Sequence, residues 1–330
     1  MNGYRALIIG AGKIGAFYDT PDFSEVLSHA HAYTASADFR LAGFVDSRVE
    51  SAERAAGIWG GRAYTNLAEA FRAEKPDVIS VCVPDDCHEP ILRQISELGP
   101  RLVFAEKPLA ADSASAWAIA RLYQEKGIPL AVNYSRGYLP KLRHLANAIH
   151  SGSHGRFVNG VGLYGKGLMH NGSHMIDLLL RLLGPLSSAI RTGALTDWSD
   201  QDPSISASIR MRNGGTVFLQ AVDSRIVTIF ELDLIFERAR IRLVDSCAAI
   251  EVYHVQEHES YRGYPVFRLF NSGRMELMKA LPHAIDNICA HLETGAPLSC
   301  SGLDACRVIA DCELVRNGKA AIYTNGCLGA

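Results

Sequence analysis

Between residues 4 and 133 the chain alternates short apolar runs with Ala-rich stretches of helical period. The runs are YRALIIG, FRLAGFVD, PDVISVCVP, RLVFAEKP and IPLAVNYS. Each is nearly continuous in apolar character, as a strand covered on both faces must be. Helical patterns over 47–57, 66–74, 87–98 and 112–125 fit between them, one per crossover. Strand and helix in strict alternation predict a doubly wound α/β fold around a parallel sheet.

The grammar changes after Asn133. A helix over 138–150 precedes GRFVNGVGLYG, and then come SSAIRTGAL, SISASIRMR, GTVFLQAVDS and IVTIFELDLIFERARIRLVD. NGG at 213–215 reads as a hairpin between two of these. Strands that follow one another without intervening helices predict an α+β domain with a large open, mainly antiparallel sheet. MELMKALPHAIDNICAHLETG and GLDACRVIADCELVRNG read as two last helices, closed by Gly295 and Gly318. A chain of 330 residues exceeds what one core usually supports. The expected division is 1–133 for a Rossmann domain and 134–330 for a substrate-binding and oligomerisation domain.

Composition narrows the partners. The 33 basic and 35 acidic residues leave a formal charge of -2, so no basic field exists to attract nucleic acid or anionic lipid. A small molecule is the expected partner. No apolar run approaches the roughly 20 residues that a membrane span needs. Eight cysteines without C-x-x-C spacing, and a start that runs straight into a strand pattern, lead us to expect a cytoplasmic protein.

Gly10, Gly12 and Gly15, with Lys13 and Ile14 between them, form G-x-G-x-x-G at the end of the first strand. Glycines there permit a tight turn, close approach of backbone N–H groups to a pyrophosphate and tight helix packing. Asp46, followed by Ser47 and Arg48, ends the second strand. A carboxylate at that place accepts hydrogen bonds from a ribose 2'-hydroxyl and repels a 2'-phosphate, so NAD is expected as cofactor, with NADP the alternative. Arg48 partly offsets the repulsion, however, and Asp46 also suits a merely N-capping role. The spacing from Gly15 to Asp46 exceeds the usual ~20 residues. We read the excess as an insertion over 17–33 whose His29 and His31 cover the cofactor or shape the entrance.

Val83, Pro84 and His88 follow the fourth strand, at the sheet edge where ligands sit, although Pro84 also simply stops the strand and His88 also suits a cap. Glu106 and Lys107 leave the fifth strand just before Pro108. A lysine there can hydrogen-bond a substrate oxygen and stabilise a developing alkoxide, or it can merely pair with Glu106. Asn133, Tyr134 and Arg136 end the sixth strand, and Tyr164 and Lys166 precede HNGSHMID, residues 170–177. Each suits either a ligand wall or packing between domains.

The ordered set GAGKIG, CVPDDCHEP, AEKPLA, VNYSRGYLP and YGKGLMHNGSHMIDLLLRLLG resembles the glucose-fructose oxidoreductase and inositol dehydrogenase family, Gfo/Idh/MocA, over nearly the whole chain. The resemblance implies a Rossmann domain, an α/β domain with an open antiparallel sheet, and a catalytic cleft between them. It implies NAD(P)-dependent oxidation of sugars, cyclitols or nucleotide sugars, and a homodimer or homotetramer formed through the second domain's sheet. Lys107 matches the lysine of the family's EKP motif, His174 the histidine of its G-x-H-x-(I/L)-D segment, and Asp177 the aspartate of that segment. Many members carry an aspartate four residues before the histidine, and His170 stands there in this chain.

HNGSHMID then has three readings: a metal clamp, a structural pair of polar residues, and proton transfer with substrate binding. His170, His174 and Asp177 would share a face of one helix, as zinc ligands do, but Asn171 cannot serve as the carboxylate base and Gly172-Ser173 reads as a helix start. No metal is expected. The preferred reading is proton transfer, because imidazole exchanges protons near neutral pH and free lysine does not. His174 is then the general acid/base and Lys107 shares the reacting oxygen. His170 and Asn171 contact substrate, His170 also relaying a proton or orienting its neighbour. Two rival readings are a redox-assisted, NAD+-dependent glycosidase or lyase and a non-catalytic cofactor-sensing protein.

Overall fold

The computed structural model describes residues 3–318. The described chain forms two compact units, one made by residues 3–139 together with Met278–Arg307, the other by Pro140–Leu277 and residues 308–318.

In the first unit, six strands, β1 (Tyr4–Ile9), β2 (Phe39–Val45), β3 (Arg62–Tyr64), β4 (Val78–Val81), β5 (Leu102–Ala105) and β6 (Leu130–Val132), form one sheet. Its order is β3-β2-β1-β4-β5-β6 and every pairing is parallel. The crossovers carry α1 (His29–Ala35), α2 (Val49–Trp59), α3 (Leu67–Glu74), α4 (His88–Ser96) and α5 (Ser113–Glu125). Leu7, Ile8, Ile79, Val103 and Phe104 are fully buried, which is why these strands read as continuous apolar runs. The strand order reverses between β1 and β4. Ligands of such sheets bind outside the carboxyl ends of the strands at that switch point.

The second unit opens with α6 (Pro140–His150) and β7 (Phe157–Tyr164), followed by α7 (Ser173–Leu183). The remaining strands are β8 (Leu186–Leu195), β9 (Ser204–Met211), β10 (Thr216–Ala221), β11 (Phe230–Phe236), β12 (Ala239–Val244), β13 (Ala249–Glu257) and β14 (Pro265–Arg274). The sheet order is β14-β13-β12-β11-β7-β10-β9-β8, antiparallel except where β10 runs parallel to β7. Alternation sorts its faces: Phe230, Leu232, Leu234 and Phe236 of β11 are buried, while Val158, Val161, Ile190 and Phe218 are exposed. The expected hairpin joins β9 to β10, with Gly214 and Gly215 at positive φ. β13 and β14 were not among the expected strands. Most of their residues are half-exposed or exposed on both faces, so the alternation that marks a half-buried strand is weak there.

The last two helices are α8 (Ala280–Thr294) and α9 (Gly302–Asn317). α8 belongs to the first unit, so the units do not follow a single cut after residue 133. Val132 N–H donates to Cys300 O at 3.0 Å and Ala131 bridges to Ser301. β6 is an edge strand with an open ladder, and a segment 170 positions further on, rather than a local one, occupies it. Among the described residues no helix is long and apolar enough to cross a membrane.

Candidate active site

The glycine turn after β1 is built by close backbone approach. Gly10 has φ +94°, and a Cβ on it would lie 2.4 Å from Cys82 O; a Cβ on Gly15 would lie 2.1 Å from Gly10 O. Gly12 differs, since a Cβ there would meet nothing within 4 Å. The turn leads into one π-helical turn, Lys13–Phe17, rather than a long helix. Asp19 ties back the loop that follows: it accepts N–H bonds from Leu27 at 2.6 Å and Ser28 at 3.2 Å, the Ser28 hydroxyl, and His31 Nδ1 at 2.9 Å. His29 and His31 are therefore buried on α1, not spread over a cofactor as expected of an insertion.

Asp46 is held beside this turn. Its Oδ2 accepts Ala11 N–H and its Oδ1 accepts Arg48 N–H, each at 2.9 Å. Ser47 and Arg48 are exposed, with the Arg48 side chain 3.9 Å from the carboxylate. These features fit a dinucleotide. Gly12 leaves open space before N–H groups that have no partner earlier in their own turn, and Asp46 brings an acceptor-only carboxylate.

At the end of β5, Glu106 N–H continues the sheet to Val81 O at 2.9 Å, and half-buried Lys107 follows. Glu106 Oε1 accepts from His29 Nε2 at 2.9 Å and from Asn133 Nδ2 at 2.6 Å. Burial alone would push the Glu106 carboxyl up. The His29 and Asn133 hydrogen bonds and the Lys107 ammonium more than offset it, holding the group below the ordinary carboxylate range. Asn133 Oδ1 is buried with no hydrogen-bond partner among the described residues. Val83 is half-buried and Pro84 exposed at the mouth of β4.

Three expected ligand residues lie elsewhere. His88 is fully buried, its Nδ1 2.6 Å from Pro108 O and its Nε2 3.0 Å from Val83 O, so it staples the β4 turn to the peptide after Lys107 and has no surface for a cofactor. Tyr164 is fully buried; its hydroxyl donates to Ile205 O at 3.0 Å and accepts Ile205 N–H at 2.7 Å. Tyr134 is also fully buried. Size and apolar surface drew the two tyrosines inward, whereas the Pro108 and Val83 carbonyls hold His88. Arg136 lies half-buried on the 3₁₀ turn Ser135–Tyr138.

In the second unit, the segment after β7 carries the histidines. Lys166 takes a left-handed backbone at φ +66°, and Gly167–Gly172 form a π-helical turn that runs directly into α7. α7 begins at Ser173, as expected, with Gly172 at its N-cap; Gly172 has right-handed helical angles and Ser173 Oγ donates to Met169 O at 2.7 Å, so the π turn runs into the helix without a break. His170 lies on the π turn and His174 on the first turn of α7, both half-buried. Asn171 Nδ2 donates to Gly165 O at 2.9 Å, and Asp177 takes Arg181 Nε on both oxygens at 2.9 and 2.8 Å.

The turn is held by a loop that sequence reasoning passed over, residues 196–203. Asp197 Oδ2 accepts Lys166 N–H at 2.8 Å; Asp202 accepts Met169 N–H at 2.8 Å and His170 N–H at 2.9 Å. Burial pushes the Asp197 carboxyl up, but the Lys166, Ser204 and Ser224 hydrogen bonds bring it below its ordinary value. The Trp198 ring stacks on His170 with centroids 4.4 Å apart and planes at 13°, and half of Trp198 is exposed. The signal for this loop was its length: eight polar-rich residues join β8 to β9 where two suffice for a hairpin. Among the described residues no group of three or more His, Cys, Asp or Glu is arranged to hold a metal ion.

Residues 4–134 match the Gfo/Idh/MocA family model, described as an oxidoreductase family with an NAD-binding Rossmann fold. That match is confined to residues 4–134, over which the chain is similar to the family. It is 28% identical to inositol 2-dehydrogenase of Corynebacterium glutamicum over 162 residues, 48% of this chain and 45% of that enzyme, so the match spans less than half of that relative's length. It is 25% identical over 325 residues to UDP-N-acetylglucosamine 3-dehydrogenase of Acidithiobacillus ferrooxidans, covering 94% of this chain and 96% of that one. A solved structure of that enzyme has a TM-score of 0.75 at 21% identity over 97% of this chain and 98% of that one. The Bordetella pertussis dehydrogenase solved with NADH and UDP-GlcNAcA has a TM-score of 0.77 at 17% identity over 96% of each chain. Residues 4–134 of the first unit thus match an NAD-binding Rossmann fold, and the glycine turn and Asp46 are the groups that suit the dinucleotide.

Proposed function

We propose that this protein is an NAD-dependent oxidoreductase acting on a secondary alcohol, or the matching ketone, of a sugar, cyclitol or sugar derivative, nucleotide-linked ones included. The observation that carries the reading is the grouping in one unit of the Gly10–Gly15 turn, the anchored Asp46 carboxylate and Lys107 at the carboxyl end of β5. Bound NAD supplies the hydride acceptor. Gly12, Lys13, Ile14 and Gly15 would offer backbone N–H groups to its pyrophosphate, and Asp46 would accept from its ribose and disfavour a 2'-phosphate.

Lys107 brings a positive charge to the substrate oxygen and stabilises it as alkoxide character develops. His174 removes or returns the hydroxyl proton. His170 and Trp198 present a stacked aromatic pair, suited to the apolar face of a sugar ring, while Lys166, Asn171 and Arg136 supply polar contacts. The polyol and nucleotide-sugar dehydrogenases among its relatives support this substrate class. The exposed apolar residues of the open sheet, Val158, Val161, Ile190 and Phe218, support a homodimer or homotetramer formed across that face. The seven described cysteines are free thiols, consistent with a reducing cytoplasm; Cys327 lies outside the described residues.

The test is a screen of cyclitols, sugars and nucleotide sugars for NADH formation. Lys107→Ala and His174→Ala are expected to bind NADH while losing turnover, and the double variant to lose less than the two single losses combined. Full turnover in either single variant removes that residue from the reaction. Product without NADH accumulation points to the redox-assisted glycosidase instead.

A further inference from the structure

A directed chain of buried hydrogen bonds ends beside Lys107. Tyr33 Oη is 2.8 Å from Ser80 Oγ, Ser80 Oγ is 3.1 Å from His29 Nδ1, His29 Nε2 is 2.9 Å from Glu106 Oε1, and Asn133 Nδ2 reaches the same oxygen at 2.6 Å. Tyr33, Ser80 and His29 are all fully buried.

The donors can be assigned from chemistry. Glu106 is ionised and so accepts only; His29 Nε2 must therefore carry a proton, and Asn133 must turn its NH2 toward Glu106. With the proton on Nε2, His29 Nδ1 is left to pair with the Ser80 hydroxyl at 3.1 Å. Tyr33 keeps its own proton, since burial pushes its phenol well up, and donates it to Ser80. A serine, a histidine and a carboxylate in line also resemble a hydrolytic relay. That use is closed, because Ser80 has no exposed surface and its hydroxyl is already engaged at both ends.

We propose that His29 is a positioning residue: by holding Glu106 as a carboxylate it fixes the Asn133 amide so that Oδ1, which has no partner among the described residues, is offered as an acceptor to a ligand N–H or O–H at the carboxyl end of β6. The same hydrogen bond keeps a negative charge next in sequence to Lys107. The titratable groups coupled to Glu106 are His29 on α1, Lys107 beside it and Cys82 after β4. The ligand's identity rests on the NAD-dependent oxidoreductase reading above; the direction of the hydrogen bonds does not.

Two measurements test this. Imidazole 15N shifts of the wild-type protein, assigned by comparison with His29→Gln, should show a proton on His29 Nε2 at neutral pH; a bare Nε2 overturns the proposal, whether or not any substrate is found. In the second, His29→Leu should lower kcat by roughly tenfold or more and displace its pH profile, and His29→Gln, which can still donate to Glu106, should recover most of the loss. Weakened NADH binding, read by fluorescence, would assign the Asn133 acceptor to the cofactor, and a raised KM at unchanged NADH affinity would assign it to the substrate. Equal defects in the two variants, or none in His29→Leu, overturn the proposal. Failure of the wild type to reduce NAD with any polyol would instead count against the oxidoreductase reading and leave the 15N and NADH-binding results to decide this one.

Discussion

The carboxylate of Asp202 holds the backbone of His170, taking its N–H on Oδ2 at 2.9 Å while Oδ1 takes the N–H of Met169 at 2.8 Å. An amide has one acceptor where a carboxylate has two. Asp202→Asn should leave one of these N–H groups without a partner and cost about 1–3 kcal/mol. Urea unfolding measures that cost, and turnover should fall with it because the turn bearing His170 loosens. Full activity at unchanged stability would show that the turn needs no such clamp.

Gly12 and Gly15 should respond differently to the same added methyl. At Gly15 it would strike Gly10 O from 2.1 Å, so Gly15→Ala should lower the melting temperature sharply; at Gly12 it meets only open space. Gly12→Ala should keep its melting temperature and bind NADH more weakly, by about tenfold if ~1.4 kcal/mol of pyrophosphate contact is lost. Undiminished NADH binding by Gly12→Ala would move the pyrophosphate elsewhere.

Asp46 should set the choice between the two dinucleotides. Asp46→Ala removes the acceptor of Ala11 N–H and the charge that disfavours a 2'-phosphate. NAD affinity should fall and the NAD over NADP ratio of kcat/KM should shrink by about tenfold or more. An unchanged ratio would show that specificity is set by other residues.

Tyr164→Phe separates packing from catalysis. The phenol both donates to and accepts from Ile205 with no exposed surface, so its loss should cost about 1–3 kcal/mol in unfolding while kcat and KM stay near wild type. A selective rise in KM would return Tyr164 to the substrate wall.

Acid should destabilise the protein through Glu106 and Asp197, both held below their ordinary values. A carboxyl with a depressed folded-state pKa stabilises fully above its unfolded-state value and loses that contribution as pH falls through the folded-state one. Thermal unfolding followed from neutral pH to about 3 should show stability dropping below the ordinary carboxylate range, and Asp197→Asn should flatten that dependence. Identical curves for the variant and the wild type would exclude Asp197 as a contributor.

The sequence by itself determined the parallel sheet, its crossovers, the glycine turn and the positions of Asp46, Lys107 and His174, because each depends on local periodicity or on a residue's place at the end of a strand. Tertiary structure alone decided what surrounds them. It joined His29 to Glu106 across 77 positions and His170 to Asp202 across 32, brought the 278–307 segment into the first unit, and turned Tyr164 and His88 inward as anchors. The physical reason is range: apolar periodicity reports how neighbouring residues share a surface, whereas a hydrogen bond between distant segments leaves no imprint on the residues flanking either end.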